Sequence, residues 1–278
     1  MRLRCLLFVP GDRPERMEKA LGLGADALIL DLEDAVALSA KDAARAATAA
    51  FLRRIGPARD RPALFVRINP LESGLLAADL EAVLGSPPDG LVLPKSEGAH
   101  SVARLIARAG TTLPILPIAT ETPAAIFGLG TYRRIGARLA GLTWGAEDLP
   151  AAIGASASRE PDGRYTAPYE MARALTLFAA HAAGVPAIET VFPDLRNLDG
   201  LSAYAARARR DGFSGMMALH PTQVGIINAA FTPSEADLER ARAIVAAFEA
   251  APDAGVLQLG GRMIDAPHLK QARRLLES

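Results

Sequence analysis

Eight short apolar stretches recur along the chain, at residues 4–9, 27–32, 63–68, 90–93, 113–118, 139–144, 186–192 and 215–219. Segments rich in Ala, Leu, Arg and Glu, with helical spacing, separate them. The apolar stretches alternate weakly, as strands do when both faces are covered. Strand followed by helix, repeated eight times, predicts an α/β chain folded as a closed parallel (β/α)8 TIM barrel. Most of the stretches end in a polar group. Asp31, Glu33 and Asp34 follow the second, Arg67 the third, Lys95 the fourth and Glu121 the fifth. Glu147 and Asp148 follow the sixth, Asp194 the seventh and His220 the eighth. In such a barrel these groups gather on one face and form one site.

Helix signals fall between the strands. Asp12 is the expected N-cap of a first helix with Pro14 near its first position. Residues 39–51 form a second, and Thr122-Pro123 opens another after the fifth strand. Residues 156–169, with the turn signal Pro161-Asp162-Gly163, are expected as an inserted loop on the active face. The pattern changes after the eighth strand. Ser234 is the expected cap of a helix reaching about Ala250. Gly260-Gly261 reads as a tight hairpin, and Ala266-Pro267 leads into a last helix. The chain therefore divides into a barrel, residues 1–230, and a C-terminal helix-hairpin-helix lid or oligomerisation arm, residues 231–278.

Composition narrows the function. Half of the 278 residues are hydrophobic, enough for a large core, and the formal net charge is zero. No basic run suggests a nucleic-acid or anionic-membrane surface, and no apolar run approaches bilayer length. Cys5, the single cysteine, lies in the first strand and is expected as a small buried hydrophobe. A cytoplasmic setting is the default.

The chemistry centres on Glu121 and Asp148, which follow strands that are neighbours in a barrel. Two carboxylates so placed suit a hard cation such as Mg2+, and no His/Cys cluster points to zinc. The plainer alternative is that each caps the following helix. Arg67 ends a β-branched strand and should aim its fork at the barrel mouth, toward a carboxylate or toward Asp31, Glu33 or Asp34. Lys95 is either a Schiff-base lysine or a partner of those acids. His220 is either a base or a hydrogen-bond donor behind the site. Arg13 and Arg16 flank a helix start, where an anion could bind. Asp265 sits in the Gly-rich hairpin, either as a turn former or as an acid whose carboxyl is raised by shielding on a closing lid.

These residues fall in stretches that resemble a known family. The segments 6–17 (LLFVPGDRPERM), 25–36 (ADALILDLEDAV), 66–69 (VRIN), 93–95 (LPK), 121–122 (ET), 145–149 (GAEDL), 220–221 (HP) and 261–265 (GRMID) are similar, in order, to the citrate lyase beta chain and its stand-alone relatives. Those relatives include malyl-CoA, methylmalyl-CoA and citramalyl-CoA lyases. The resemblance implies a Mg2+-dependent carbon–carbon lyase, assembled as a homotrimer or hexamer, acting on a 2-oxo acid and an acyl-CoA or acyl-carrier substrate. It implies Glu121 and Asp148 as metal ligands, Arg67 as the carboxylate-binding arginine, and Asp265 as a catalytic acid reaching the next subunit. It also implies CoA or carrier contacts at Arg13, Arg16, Lys41 and Arg45. Leu38 stands where a proline is common, and Thr222 where a serine is usual. Glu189 and Asn197 stand where aspartates are typical, which bears on substrate identity.

Two other functions remain compatible with these residues: a metal-dependent aldolase acting on a free hydroxy-oxo acid, and a binding subunit active only within a citrate lyase complex.

Overall fold

Eight parallel strands form, one at each apolar stretch, in a computed structural model that describes residues 2–57 and 60–277. The first unit, Met1–Phe231, runs β1 (Cys5–Pro10), α1 (Pro14–Ala20), β2 (Ala27–Asp31), α2 (Lys41–Ile55), β3 (Ala63–Arg67), α3 (Leu76–Leu84), β4 (Gly90–Leu93) and α4 (Ala99–Ala109). It continues through β5 (Ile115–Pro117), α5 (Pro123–Gly128), β6 (Leu142–Thr143), α6 (Asp148–Ile153), α7 (Ala167–Ala183), β7 (Ala187–Glu189), α8 (Leu198–Asp211), β8 (Gly215–Ala218) and α9 (Pro221–Ala230). The sheet order is β5-β4-β3-β2-β1-β8-β7-β6. Between β5 and β6 the ring is completed by two isolated parallel bridges, Ile115 with Leu139 and Ile118 with Thr143. The predicted (β/α)8 barrel is the fold.

Alternation sorts the strand side chains into two layers. Leu6, Ile29, Phe65, Val92, Leu116, Ile188 and Met217 fill the barrel. Leu7, Leu28, Leu30, Leu64 and Val66 pack outward against the helices. Each fully buried Leu, Ile or Phe contributes roughly 1.5–3 kcal/mol. Gly90 makes room inside the barrel, since a Cβ there would lie 2.3 Å from the Phe65 ring. Asp31 and Arg67 continue the inward phase of Ile29 and Phe65, and the β2–β3 register sets them side by side.

Local signals differ from expectation in a few places. Asp12 does not cap α1; Arg13 takes that position without a side-chain bond, and Asp12 Oδ1 is buried with no hydrogen-bond partner. The second helix starts later and runs longer than residues 39–51, because Leu38–Ala40 forms a 3-10 turn and the left-handed Gly56, with φ 63°, provides the stop. The inserted loop ends where Ala167-Pro168 starts α7. Within it Tyr165 meets Trp144 edge-on, with ring centroids 5.1 Å apart, and Arg159 lies over the Tyr165 ring. Cys5 is fully buried, as expected, and burial pushes its thiol up to about 12.

The second unit is Thr232–Ser278. It comprises α10 (Glu235–Ala250), the antiparallel pair β9 (Val256–Leu259) and β10 (Arg262–Asp265), and α11 (Ala266–Leu276). Ser234 caps α10 in a reciprocal box with Asp237. Gly260 and Gly261 turn the hairpin with φ 56° and 76°, the left-handed pair that such two-residue turns require. Ile264 packs with Ala241, Ile244, Phe248 and Ala272 as a separate small core. No helix among the described residues is long and apolar enough to cross a membrane.

Candidate active site

The C-terminal ends of β2 and β3 supply a buried ion pair. Arg67 donates from Nε to Asp31 Oδ1 at 2.8 Å and from Nη2 to Asp31 Oδ2 at 2.6 Å. Asp31 also accepts the backbone N–H groups of Glu33 and Ala35, so its carboxylate is saturated. The guanidinium lies 4.8 Å from the Phe8 ring centroid, and these partners hold it firmly charged. Its remaining end, Nη1, is 2.9 Å from Glu33 Oε2 and 3.7 Å from Asp34 Oδ2. The approach to Glu33 is close but not aligned as a hydrogen bond, and Oε2 is otherwise without a partner. Burial raises the Glu33 carboxyl; Arg67 opposes the rise. Asp34 is largely solvated.

The ends of β4, β5 and β6 bring the second half. Lys95 has φ 50°, the one left-handed non-glycine among the described residues, a conformation costing about 1–3 kcal/mol. Its backbone N–H donates to Glu121 Oε2 at 2.5 Å. Its Nζ lies 3.0 Å from Glu33 Oε1 and 3.3 Å from Asp148 Oδ1. Burial opposes the ammonium, but Glu33, Glu121 and Asp148 outweigh it and raise the Lys95 pKa. A lysine so held stays protonated, which removes the nucleophile a Schiff base needs.

Glu121 is buried, and no donor among the described residues reaches its Oε1. That oxygen lies beside Gly145, where a Cβ would come within 2.6 Å of Glu121 Cγ and 3.2 Å of Oε1. Burial pushes the Glu121 carboxyl up to about 8; the Lys95 N–H opposes this, while Asp148 and Glu33 add to it. Neither acid caps a helix. Thr122 is the cap of α5, accepting from Ala125 N, and α6 begins after Glu147 with no side-chain cap. The capping alternative therefore fails for both.

Other candidate residues lie elsewhere. Lys41 is buried, and its Nζ donates to Leu32 O, Glu33 O and Asn69 Oδ1. Arg45 turns inward to Asp79, Asp42 and the Leu75 carbonyl. Both bind the protein itself, Lys41 bracing the segment that carries Glu33 and Arg45 joining α2 to α3, so neither offers a free cation to a phosphate. Arg13 and Arg16 are exposed. His220 is exposed and caps α9, accepting from Thr222 N through Nδ1. Asn197 caps α8. Glu189 is fully buried and accepts from Trp144 Nε1, Tyr204 OH and Arg173 Nε.

Asp265 belongs to the second unit, where it caps α11 and meets His268 Nδ1 at 2.5 Å. That hydrogen bond holds its carboxyl below the usual range in the single chain, opposite to the rise expected of a shielded lid acid.

Sequence reading missed Asn69 and Asp79. Asp79 Oδ2 accepts from both Asn69 N and Nδ2, and Nδ2 also reaches Leu32 O. The signal was available: Asp79 sits between Leu76 and Val83 on the apolar stripe of α3, an acid where a hydrophobe belongs.

The donor set is all oxygen. Among the described residues no three His, Cys, Asp or Glu side chains form a closed cation cage. Glu121 and Asp148 could supply two carboxylate ligands, which would leave most of an octahedron to water and substrate, as a hard divalent cation such as Mg2+ prefers. A family model for HpcH/HpaI aldolase/citrate lyase matches residues 4–221. The chain belongs to the HpcH/HpaI aldolase/citrate lyase family.

Members of this family are similar over nearly the full chain. The protein CitE from Mycobacterium tuberculosis, in complex with magnesium, acetoacetate and coenzyme A, superposes with TM-score 0.84 at 36% identity, covering 99% of this chain and 97% of that one. A citrate lyase beta subunit from M. tuberculosis, complexed with oxaloacetate and magnesium, gives TM-score 0.72 at 37% identity, covering 84% and 98%. A (3S)-malyl-CoA thioesterase from Cereibacter sphaeroides is 34% identical over 98% of this chain and 92% of its own length.

Proposed function

We propose that this protein is a Mg2+-dependent carbon–carbon lyase. It would cleave a β-hydroxyacyl thioester, with a carboxylate beside the hydroxyl, into a 2-oxo acid and an acyl-CoA, or join the two in reverse. One observation supports the reading: Glu121 and Asp148 stand on the neighbouring ends of β5 and β6, both held by Lys95, whose ammonium also meets the Glu33 carboxylate that lies against Arg67 Nη1. The relatives complexed with magnesium, oxo acids and coenzyme A support it.

The residues fit the cation. Glu121 Oε1 lacks a donor among the described residues, and burial, with Asp148 and Glu33 adding to it, pushes the carboxyl up to about 8, a penalty that a nearby cation would relieve. Glu121 and Asp148 would be the ligands. When bound there, Mg2+ supplies Lewis-acid polarisation of substrate oxygens.

The protein groups do the rest. Arg67 Nη1 receives the substrate carboxylate in place of Glu33 Oε2, the acceptor there that lacks an aligned bond. Asp31 occupies the other edge of the guanidinium, so Arg67 grips from one nitrogen rather than two. The hydroxyl proton would pass to solvent water as the alkoxide pair forms the new carbonyl and the bond between the carbinol carbon and the thioester α-carbon breaks. The bond pair passes to the thioester as its enolate, and Asp265 returns a proton to carbon. In the reverse direction an ionised Asp265, the form that His268 favours, removes that proton. Assembly as a homotrimer or hexamer would let Asp265 serve a neighbouring copy, and Arg13 and Arg16 are the exposed cations for CoA or a carrier phosphate.

The test is a condensation screen. Purified protein with Mg2+, a panel of 2-oxo acids and acetyl- or propionyl-CoA should yield a hydroxyacyl-CoA of the summed mass. Incubating that product should regenerate both halves. Release of free CoA and a hydroxy diacid would instead make the chain a thioesterase, and cleavage of a free hydroxy-oxo acid would make it an aldolase.

A further inference from the structure

We propose that Lys95 is the positioning residue of the acidic pair: its backbone fixes Glu121, and its ammonium is the resident counter-ion of Asp148 and Glu33 against which a divalent cation must compete. The inference rests on the metal-dependent reading above and concerns the state of the site before the cation arrives.

Lys95 touches both carboxylates assigned to the cation. The N–H holds Glu121 Oε2, and Nζ reaches Asp148 Oδ1 and Glu33 Oε1. A left-handed lysine persists only where its surroundings dictate it. Here they do. Ser96 N donates to Ile118 O, and the Tyr132 hydroxyl donates to Ser96 and accepts from Gly98 N. Ala99 N donates to Thr131 Oγ1, and Thr122 Oγ1 donates to Glu97. Gly98 and Gly128 pack so closely that a Cβ on Gly128 would lie 2.1 Å from Glu97 O. This braced turn aims the Lys95 N–H at Glu121 whatever the side chain does.

The side chain then has a separate task. Glu33 already lies against Arg67, but Asp148 has no ion-pair partner among the described residues other than Lys95. Without the ammonium, Asp148 has no opposite charge beside it among the described residues. With it, the carboxylates stay in place, and an incoming cation meets a like charge.

The two tasks separate by substitution. Magnesium chloride is titrated calorimetrically into the full-length wild type, Lys95→Gln, Lys95→Gly and Lys95→Arg. Lys95→Gln removes the competing charge, so the Mg2+ Kd falls about tenfold, the scale on which one adjacent charge biases a carboxylate. Lys95→Gly keeps the N–H in a residue that accepts the left-handed φ, and shows the same gain. Lys95→Arg restores the charge and stays near wild type. A purely structural lysine predicts weaker binding in the Gln and Gly variants, so unchanged or weakened affinity in both overturns the inference. A wild type that binds no Mg2+ overturns the lyase reading itself, whereas wild-type binding with no gain in the variants removes only the role of Lys95.

Discussion

Arg67 and Asp31 meet edge to edge across the β2–β3 register, at 2.8 and 2.6 Å, inside the mouth of the barrel. This pair occupies Nε and Nη2, so under the proposed function only Nη1 would remain for substrate. Removing Asp31 leaves a buried cation facing only Glu33 and the distant Asp34. Asp31→Ala should therefore lower unfolding free energy by about 3–5 kcal/mol, read by urea denaturation. It should also loosen 2-oxo acid binding, because Arg67 loses the anchor that aims Nη1.

Glu121 makes stability depend on pH. Its folded-state carboxyl, at about 8, lies above the unfolded value of 4.5. Between the two the folded chain holds a proton that the unfolded chain has released, so this group makes stability fall as pH rises through that window. Above about 8 the loss is complete. Chemical denaturation of metal-free protein from pH 5 to 8 should show the decline, and Glu121→Gln should flatten it.

Gly145 is a space requirement rather than a hinge. A methyl group there would meet Glu121 Cγ at 2.6 Å. Gly145→Ala should cost about 1–3 kcal/mol through overpacking. It should also weaken Mg2+ binding by roughly 10–100-fold, the range for disturbed support of a metal ligand. Calorimetry with magnesium chloride reads the second effect independently of turnover.

Asp265→Asn should retain binding of Mg2+ and the 2-oxo acid while losing turnover. The amide can still cap α11, so the second unit should keep its helix content by circular dichroism. Full activity in this variant would remove Asp265 from the mechanism.

The sequence displayed the strands and their terminal acids clearly, because period and burial act locally. Arg67 could be placed at the mouth because it is in phase with Phe65. What stayed hidden were partner choices. Lys41 and Arg45 sit four residues apart on α2, a spacing that suits a surface anion site as well as it suits inward pairing. Only the arrival of Asn69 from the segment after β3, and of Asp79 from α3, turns them inside. Glu189 was similarly opaque: its departure from aspartate drew attention to substrate, yet the side chain spans to Trp144, Tyr204 and Arg173. The Lys95 strain had no sequence signal, since lysine rarely adopts that conformation.

The seam of the barrel lies between β5 and β6, where two single bridges replace a continuous ladder. Glu121 and Asp148 stand on opposite sides of that seam. An ion grasped by both would thus also be a clasp, cinching the cylinder where its own backbone bonding is thinnest, and occupancy of the mouth would be coupled to the integrity of the whole ring.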